Sequence, residues 1–439
     1  DDALSLSKDK KGQYHWAVHI ADVSHYVRPG TQLDLEAKER CNSVYFPDRV
    51  LPMLPFELSN HLCSLKPNVE RLAISVVCTL DKKGHVLDYR IVKSVIKSAT
   101  RFSYGEAKEV LDGEKRSNHS KTLKLMVELC HRLKEQRYER GSIEFALPSV
   151  EIRVDKKGCP EKLEVVEYDI THQMVEEFML LANETVATHL ANKGKPLTYR
   201  VHPEPSLDNM QEFITLARAY GFSLSQKPSS QELQKLFDDA RDTTFGQFLA
   251  TSFIRAMRLA TYSTQNIGPY GLGLEYYTHF TSPIRRYADL IVHRALFEKQ
   301  KKGVDLEEIA LRCSEQERLS ARAENDVILL KKLRLLQGLL KNQPSRRFEA
   351  TITQVKPVGF AFEVSELMLE GFFPLRTLEE DFFNFDDRQL ALIGVHSDKV
   401  YRCGDKVTVA VHFIDFIVKE VEWTLLTKGG GRMKKSRRR

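Results

Sequence analysis

The chain has 439 residues, enough for one large domain and a smaller one. Hydrophobic residues make up 42% of it and charged residues 29%, as in ordinary globular proteins, and no apolar run approaches the roughly 20 residues that cross a membrane. The net charge is +6, but the segment 428–439 holds seven Lys or Arg and no acid. The rest is close to neutral, so any nucleic-acid binding would depend on local clusters of basic residues and on this basic, disordered tail.

The cysteines indicate the compartment. They are seven in number, scattered, and without any CxxC spacing. This pattern indicates neither a disulfide framework nor a zinc site, and it favours a reducing cytoplasm.

The chain opens on two acids, and not on a methionine with a basic segment, so we expect no signal peptide and a start inside a structural element. A polar turn joins DDALSL to HWAVHIADV, whose alternating apolar positions predict a hairpin of two strands. Asp1 and Asp2, at the strand edge, could ligate a divalent metal through hard oxygen atoms. An isolated Asp-Asp pair is more often a solvated turn.

The middle of the chain alternates strands and helices. Ser103 and Glu106 have the spacing of a capping box, which predicts a helix start. Glu176 and Glu177 lie off the apolar stripe of a long helix and would ordinarily form a solvated face. We predict strands over 71–81, 85–98 and 142–154, and helices over 121–141, 171–190 and 305–340.

The most informative stretch is YTHFTSPIRRYADLIVHR, residues 277–294. Ser282 followed by Pro283 predicts a helix start, which would put Arg285 and Arg286 in the first turn. The helix dipole disfavours cations there, so two arginines make sense if an anion binds at this end. The alternative is a solvated turn in which Asp289 pairs with one of the arginines. The preceding segment 268–280 contains three glycines and four aromatic residues, typical of a flexible approach to a phosphate-sized site.

The last part of the chain has a different character. Asn342 to Ser345 form a linker, and the short strands that follow predict a small barrel. Phe360, Phe362 and Phe372 are candidates for base stacking, although alternating phenylalanines also fill barrel cores. The acidic insertion 379–389 is expected to face away from RNA.

HFTSPIRRYADLIVHR resembles the signature of the ribonuclease II / ribonuclease R family, also called the RNB family, and the resemblance extends over residues 1–427. It implies an α+β protein in which a large mixed α/β RNB catalytic domain, 1–344, precedes an S1-type OB-fold barrel, 345–427. The basic tail, 428–439, is more like the ribonuclease R branch of the family.

The resemblance also implies roles for individual residues. Asp1 and Asp2 match the last two acids of the family pattern Asp-x5-Asp-x-Asp-Asp-Ala and would hold Mg²⁺, with the first two acids lying before residue 1. Arg285 would stabilise the transition state, and Glu324 would complete the catalytic pocket. Taken alone, Glu324 would be one more solvated charge of the predicted helix. The implied RNA contacts are Tyr45 and Phe145 stacking on the terminal bases, Tyr104 on the strand, Glu176 on the 3′-terminal nucleotide, and His279 and Arg286 on phosphate.

Tyr45 and Tyr104 could instead be packing residues. The resemblance implies a processive 3′-to-5′ exoribonuclease that acts on the 3′ ends of single-stranded RNA and releases 5′-mononucleotides. We expect a cytoplasmic enzyme with no membrane contact and no obligate protein partner. The alternative is a catalytically inactive relative that threads RNA without cutting it, and neutral residues at the two upstream acid positions would favour that alternative.

Overall fold

The computed structural model describes most of the chain. None of the helices in this described part is long and apolar enough to cross a membrane. The predicted basic tail and parts of the acidic insertion lie outside the described residues. The described ranges are 1–145, 149–243, 245–298, 304–378, 381–387 and 389–426.

Helices and strands are mixed along the chain, as expected for an α+β protein. The strands are β1 (Asp2–Lys8), β2 (Tyr14–Ala21), β3 (Val44–Phe46), β4 (Arg49–Leu51), β5 (Glu70–Leu80), β6 (Val86–Lys97), β7 (Ser149–Val154), β8 (Pro160–Val166), β9 (Tyr199–Val201), β10 (Thr261–Ser263), β11 (Arg347–Lys356), β12 (Gly359–Val364), β13 (Leu369–Pro374), β14 (Phe383–Asp386), β15 (Ala391–Gly394), β16 (Val400–Arg402), β17 (Lys406–Asp415) and β18 (Glu420–Leu426). The α-helices are α1 (Val23–Tyr26), α2 (Gln32–Arg40), α3 (Tyr104–Asp112), α4 (Ser120–Glu139), α5 (Ile170–Asn192), α6 (Leu207–Ala219), α7 (Ser230–Ala240), α8 (Gly246–Ala256), α9 (Tyr287–Phe297) and α10 (Leu306–Asn342). A π-helical turn spans Glu57–Leu62, and a 3-10 turn spans Leu375–Thr377.

The N-terminal part is built on an antiparallel sheet in the order β1-β2-β5-β6. Its buried face packs on α4 and α5, and the fully buried Trp16 meets Phe178 edge-on at 5.9 Å between ring centroids. The predicted hairpin of β1 and β2 is confirmed, and the strands predicted over 71–81 and 85–98 are present as β5 and β6, which pair with each other. The capping box of Ser103 and Glu106 at the start of α3 is also confirmed. Of the strand predicted over 142–154, β7 covers 149–154, residues 142–145 are not in a strand, and 146–148 lie outside the described residues.

The helix of the signature stretch begins later than predicted. Ser282 and Pro283 lie in a turn, and α9 starts at Tyr287 after an extended Arg286. The reason is local, because the backbone of residues 42–43 pairs with this turn: Tyr287 N–H donates to Cys41 O at 2.8 Å and Ser43 N–H to Arg285 O at 3.1 Å. The prediction that Arg285 and Arg286 occupy the first turn of the helix is therefore wrong.

The C-terminal strands form a nearly closed barrel. One sheet has the order β13-β12-β11-β17-β18, its outer strands approach each other, and a second sheet has the order β14-β15-β16. Leu333 and Leu336 of α10 are fully buried in the barrel core. Phe360 and Phe362 are also fully buried there, so they are core residues and not a stacking platform, whereas Phe372 is 44% exposed.

The acidic insertion lies close to this exposed ring. Asp381, Phe382 and Phe383 line a groove of about 1000 Å³ together with Phe372 and Arg376. These three residues of the insertion are therefore on the same side of the barrel as Phe372, the candidate platform residue that is exposed.

Candidate active site

Asp1 and Arg285 meet at the centre of the site. Arg285 Nε lies 3.6 Å from Asp1 Oδ2, and the aspartate side chain is 12% exposed against 47% for the arginine. The sheet positions Asp1, because its carbonyl accepts the N–H of Ala21 at 3.0 Å. The turn positions Arg285, whose Nη2 donates to Ser282 Oγ at 3.1 Å. One carboxylate and one half-exposed guanidinium thus face the same space.

Asp2 and Tyr104 border the same space. Burial raises the pKa of the Tyr104 hydroxyl, the charge of Asp2 raises it further, and Arg285 opposes the shift. The phenol is therefore within electrostatic reach of both charged groups. Its ring stacks on His172 at 4.0 Å with an interplanar angle of 22°. Four predicted residues, Asp1, Asp2, Tyr104 and Arg285, are brought together.

Arg286 is engaged differently from its neighbour. Its Nη2 donates to Asp289 Oδ2 at 2.8 Å, and the same oxygen accepts the N–H of Ser282 at 2.7 Å. Burial opposes the charge on Arg286, but Asp289, together with Tyr262 and Tyr277, raises the pKa of the guanidinium above its ordinary value. The predicted pairing with Asp289 exists for Arg286, yet it is buried and not solvated.

His279 lies among cations. Its Nδ1 shares a hydrogen bond of 2.8 Å with the hydroxyl of Tyr262. Burial, assisted by the charges of Arg286, Arg200 and Arg285, lowers the pKa of His279 well below its ordinary value of 6.5. The imidazole is therefore neutral near pH 7 and offers a hydrogen bond, not a positive charge.

Tyr45 and Glu324 form a second pair. The Tyr45 N–H donates to Glu324 Oε1 at 2.6 Å, while the tyrosine residue is 46% exposed. Two residues earlier, Ser43 donates to the Arg285 carbonyl. Because two residues span at most about 7 Å, the segment 43–45 connects the Arg285 turn to Glu324 over a short distance.

Glu176 and Glu177 are adjacent on α5 but have different environments. Glu177 is 4% exposed, and Arg137 Nε and Nη2 both donate to its carboxylate at 2.6–3.2 Å. Glu176 is exposed, and partial desolvation raises its pKa while Arg137 opposes the shift. Glu177 is therefore a structural group, and Glu176 remains available to a ligand.

Phe145 lies apart from these clusters. Its ring contacts Phe237 at 4.9 Å and Phe253 at 5.8 Å between centroids, at the edge of the core formed by α6, α7 and α8. The residue is half-buried, so one part of the ring packs and the rest is accessible.

The oxygen donors at the site are of the kind that Mg²⁺ prefers. Asp1 and Asp2 supply carboxylates. Within the described ranges, no group of three or more His, Cys, Asp and Glu is placed to share an ion. By donor type alone, the carboxylates of Asp1 and Asp2 suit Mg²⁺.

Sequence reasoning missed one polar face of α10. Glu317 binds Arg200 through two hydrogen bonds of 2.6 and 3.1 Å, and Ser320 Oγ accepts from Asn42 at 2.9 Å. Glu324 follows on this face, and then the buried Lys331. The signal was present in the sequence, since positions 317, 320, 324 and 331 have the three-, four- and seven-residue spacing of one helix face.

At the pair of Asp1 and Arg285, the edge of the N-terminal sheet meets the turn of the signature stretch. The RNB domain model matches residues 1–301, and the chain belongs to the RNB family.

Its relatives include ribonuclease R of Chlamydia muridarum, which is 42% identical over 433 residues covering 97% of this chain and 61% of that protein. Apo RNase R of Mycoplasma genitalium superposes with a TM-score of 0.89 at 30% identity, over 97% of this chain and 69% of that one. The same RNase R in complex with ribose-methylated single-stranded RNA gives 0.88 at 30% identity, over 97% and 68%. The chain thus spans about three fifths of the length of the curated relatives that it matches.

Proposed function

We propose that this chain is the catalytic part of a 3′-to-5′ exoribonuclease that shortens single-stranded RNA to 5′-mononucleotides. The observation that carries the proposal is the pairing of Asp1 with the half-exposed Arg285 in a chain of the RNB family. Relatives named ribonuclease R and the RNA complex of one of them support the substrate class. The seven free cysteines support a reducing, cytoplasmic compartment.

In this proposal, Arg285 binds the scissile phosphate. Its planar guanidinium can donate two parallel hydrogen bonds to phosphate oxygens, and it stabilises the charge that develops as phosphorus becomes five-coordinate. Asp1 orients the guanidinium. Asp1 and Asp2 together would hold Mg²⁺, which when bound supplies Lewis-acid activation of the phosphate and of the attacking water.

The neighbouring groups position the strand. Tyr45 and Phe145 stack on the terminal bases, Tyr104 contacts the strand beside Asp2, and Glu176 accepts hydrogen bonds from the 3′-terminal ribose. Glu324 completes the pocket through the backbone of Tyr45. Neutral His279 and Arg286, which is held by its ion pair with Asp289, lie on the side of the site that binds phosphate.

We further propose that the barrel is an S1-type OB-fold that holds RNA upstream of the site. Exposed Phe372 and Arg376 at its groove offer a ring and a cation, the two groups that bind single strands without sequence preference. Affinity of the whole chain should therefore fall as salt rises.

The test compares a full-length version of the protein, the parent, with its Asp1→Asn variant on a 5′-labelled single-stranded RNA with Mg²⁺. We expect the parent to shorten the RNA stepwise from its 3′ end, and the variant to bind equally but leave the RNA intact. A circular RNA of the same sequence has no 3′ end and should survive, and a DNA of the same sequence should be cut poorly if the 2′-hydroxyl is read. Internal cleavage of the circle would contradict an exonuclease.

The second candidate is an RNA-binding relative without catalysis. Neutral residues at the two acid positions that the family pattern places before residue 1 would favour it. If the parent and Asp1→Asn bind RNA equally and neither shortens it with Mg²⁺, the binding function stands and the hydrolase is excluded.

A further inference from the structure

The hairpin that carries Tyr45 cannot position itself. β3 and β4 have three residues each and, within the described ranges, form a two-stranded sheet with no further strand, in which Tyr45 lies opposite Val50. Val50 is 43% exposed and Leu51 48% exposed, so the hairpin buries little of its own apolar surface. An isolated two-stranded hairpin is marginally stable at best. The direction of the Tyr45 ring therefore depends on what holds the hairpin from outside.

Two side chains of α10 hold it. Glu324 accepts the N–H of Tyr45, and seven residues later Lys331 Nζ lies 3.7 Å from Oδ2 of Asp48, in the turn of the hairpin. Seven residues are two helical turns, so both contacts come from one face of the helix. One strand and the turn of the hairpin are thus fixed to a single rigid element.

Lys331 is largely buried at the junction where α10 meets the hairpin of β3 and β4 and the hairpin of β7 and β8. Its side chain is 8% exposed and that of Asp48 is 17% exposed. Lys331 also donates to the carbonyl of Gly158, in the turn between β7 and β8. The packing is close, because a Cβ added to Gly158 would lie 2.8 Å from Asp48 Oδ2 and 3.3 Å from Lys331 Nζ. A buried ammonium is costly unless it is paired, and this one joins two hairpins to α10.

We infer that Lys331 is a positioning residue for base stacking: through Asp48 and the Gly158 carbonyl it fixes the hairpin that presents Tyr45 to RNA. The inference rests on the proposed stacking role of Tyr45. Lys331 acts through the backbone of the hairpin and is not itself a catalytic residue.

The test is a double-mutant cycle with Lys331→Met and Tyr45→Ala, measured as RNA affinity in the Asp1→Asn background so that the RNA stays intact. The probe is a single-stranded RNA with 2-aminopurine at its 3′ end, whose fluorescence is quenched by stacking. Loss of a base–aromatic stack weakens binding roughly five- to 150-fold, and Tyr45→Ala should show a loss in this range. Lys331→Met should lose at least threefold in affinity and part of the quenching, and it should add nothing once Tyr45 is absent.

A merely structural role for Lys331 predicts another result. It would lower the melting temperature, and its effect on affinity would be the same with or without Tyr45. Lys341→Met, which removes an exposed lysine near the end of the same helix, is the control for lost charge and should retain the quenching. Lys331→Arg keeps the charge and should restore part of the affinity.

A second variant changes the same contact from the side of the hairpin of β7 and β8. It keeps the inference testable if Lys331→Met does not fold. Gly158→Ala places a methyl group against Asp48, and it should also reduce the quenching only when Tyr45 is present. Both glycines of this comparison have positive φ, +76° for Gly158 and +87° for Gly221, but a Cβ at Gly221 meets nothing within 4 Å. Gly221→Ala therefore reproduces the backbone strain alone and should retain the quenching.

The outcomes separate the two proposals. Coupling between Lys331 and Tyr45 supports the inference, and additive effects overturn it. No effect of Tyr45→Ala on affinity overturns it too, because no stacking site is then left to position. Failure of the parent to cleave RNA overturns the proposed hydrolysis. The double-mutant cycle of Lys331 and Tyr45 can still be interpreted, because it measures RNA affinity and not cleavage.

Discussion

Arg286 and Asp289 form a buried ion pair, 2.8 Å from Nη2 to Oδ2, in which the aspartate has no exposed surface. The preceding residue, Arg285, is half-exposed and faces Asp1. Two adjacent arginines of one motif therefore have separate tasks. Arg286 holds the turn together, and Arg285 is left to meet a ligand.

The first prediction separates these arginines. Arg286→Ala leaves Asp289 buried without its partner and should lower the free energy of unfolding by about 3–5 kcal/mol. Arg285→Ala removes a half-exposed group and should change that free energy by less than about 1 kcal/mol. It should instead lower kcat for RNA by about 10²–10³-fold, as loss of one transition-state donor does. Urea unfolding and single-turnover cleavage measure the two effects, and an equally unstable Arg285→Ala would contradict the assignment.

The second prediction separates Glu176 from Glu177. Glu177→Ala leaves Arg137 buried without its main acceptor, so we expect about 3–5 kcal/mol of lost stability. Glu176→Gln should leave stability within about 0.5 kcal/mol, because the residue is exposed, and should raise KM for RNA. Thermal melts with RNA titrations distinguish these results, and reversal of the two phenotypes would refute the assignment.

The third prediction concerns pH. Burial lowers the folded-state pKa of His279 below 6.5, so the unfolded chain binds a proton more readily than the folded one. The stability that this provides is present above pH 6.5 and is lost as pH falls below it, by up to about 1.4 kcal/mol per pH unit. His293, also buried with a lowered pKa, adds to the same trend.

Urea unfolding at pH 7.5 and pH 5.5 measures this loss. His279→Gln keeps a hydrogen-bonding side chain without titrating, so it should reduce the difference between the two pH values. A variant that retains the full difference would show that other groups cause it. Cleavage by the parent should show no step near pH 6.5 due to His279.

The fourth prediction divides the phenylalanines of the barrel. Phe372→Ala should weaken RNA binding by about 1–3 kcal/mol and leave stability nearly unchanged, because the ring is exposed. Phe362→Ala should cost about 3–5 kcal/mol of stability, because that ring is fully buried and stacks on Phe373. Filter binding and chemical denaturation of both variants provide the comparison. Unchanged affinity in Phe372→Ala would place RNA elsewhere on the barrel.

Hydropathy period and capping residues predicted the local elements well. The hairpin of β1 and β2, the capping box of α3 and the length of α10 are all encoded by neighbouring residues. The start of α9 was missed because residues 41–43, far away in sequence, bind the turn before it. The environments of Glu176 and Glu177 could not be read from the sequence either, since Arg137 on another helix selects between them.

Helix α10 contributes side chains to two hydrophobic cores, and this limits how the two halves of the protein can be exchanged between relatives. Ile309 and Ala310 pack with the helix of the signature stretch, whereas Leu333 and Leu336 pack inside the barrel. The seam between the two halves therefore lies within a continuous helix. If the barrel were replaced by that of another family member, the second half of α10 would have to be replaced with it. Otherwise Leu333 and Leu336 would have to pack against a barrel core with different side chains. The boundary for exchanging the two halves of this protein should thus lie within α10 and not in the linker that follows it.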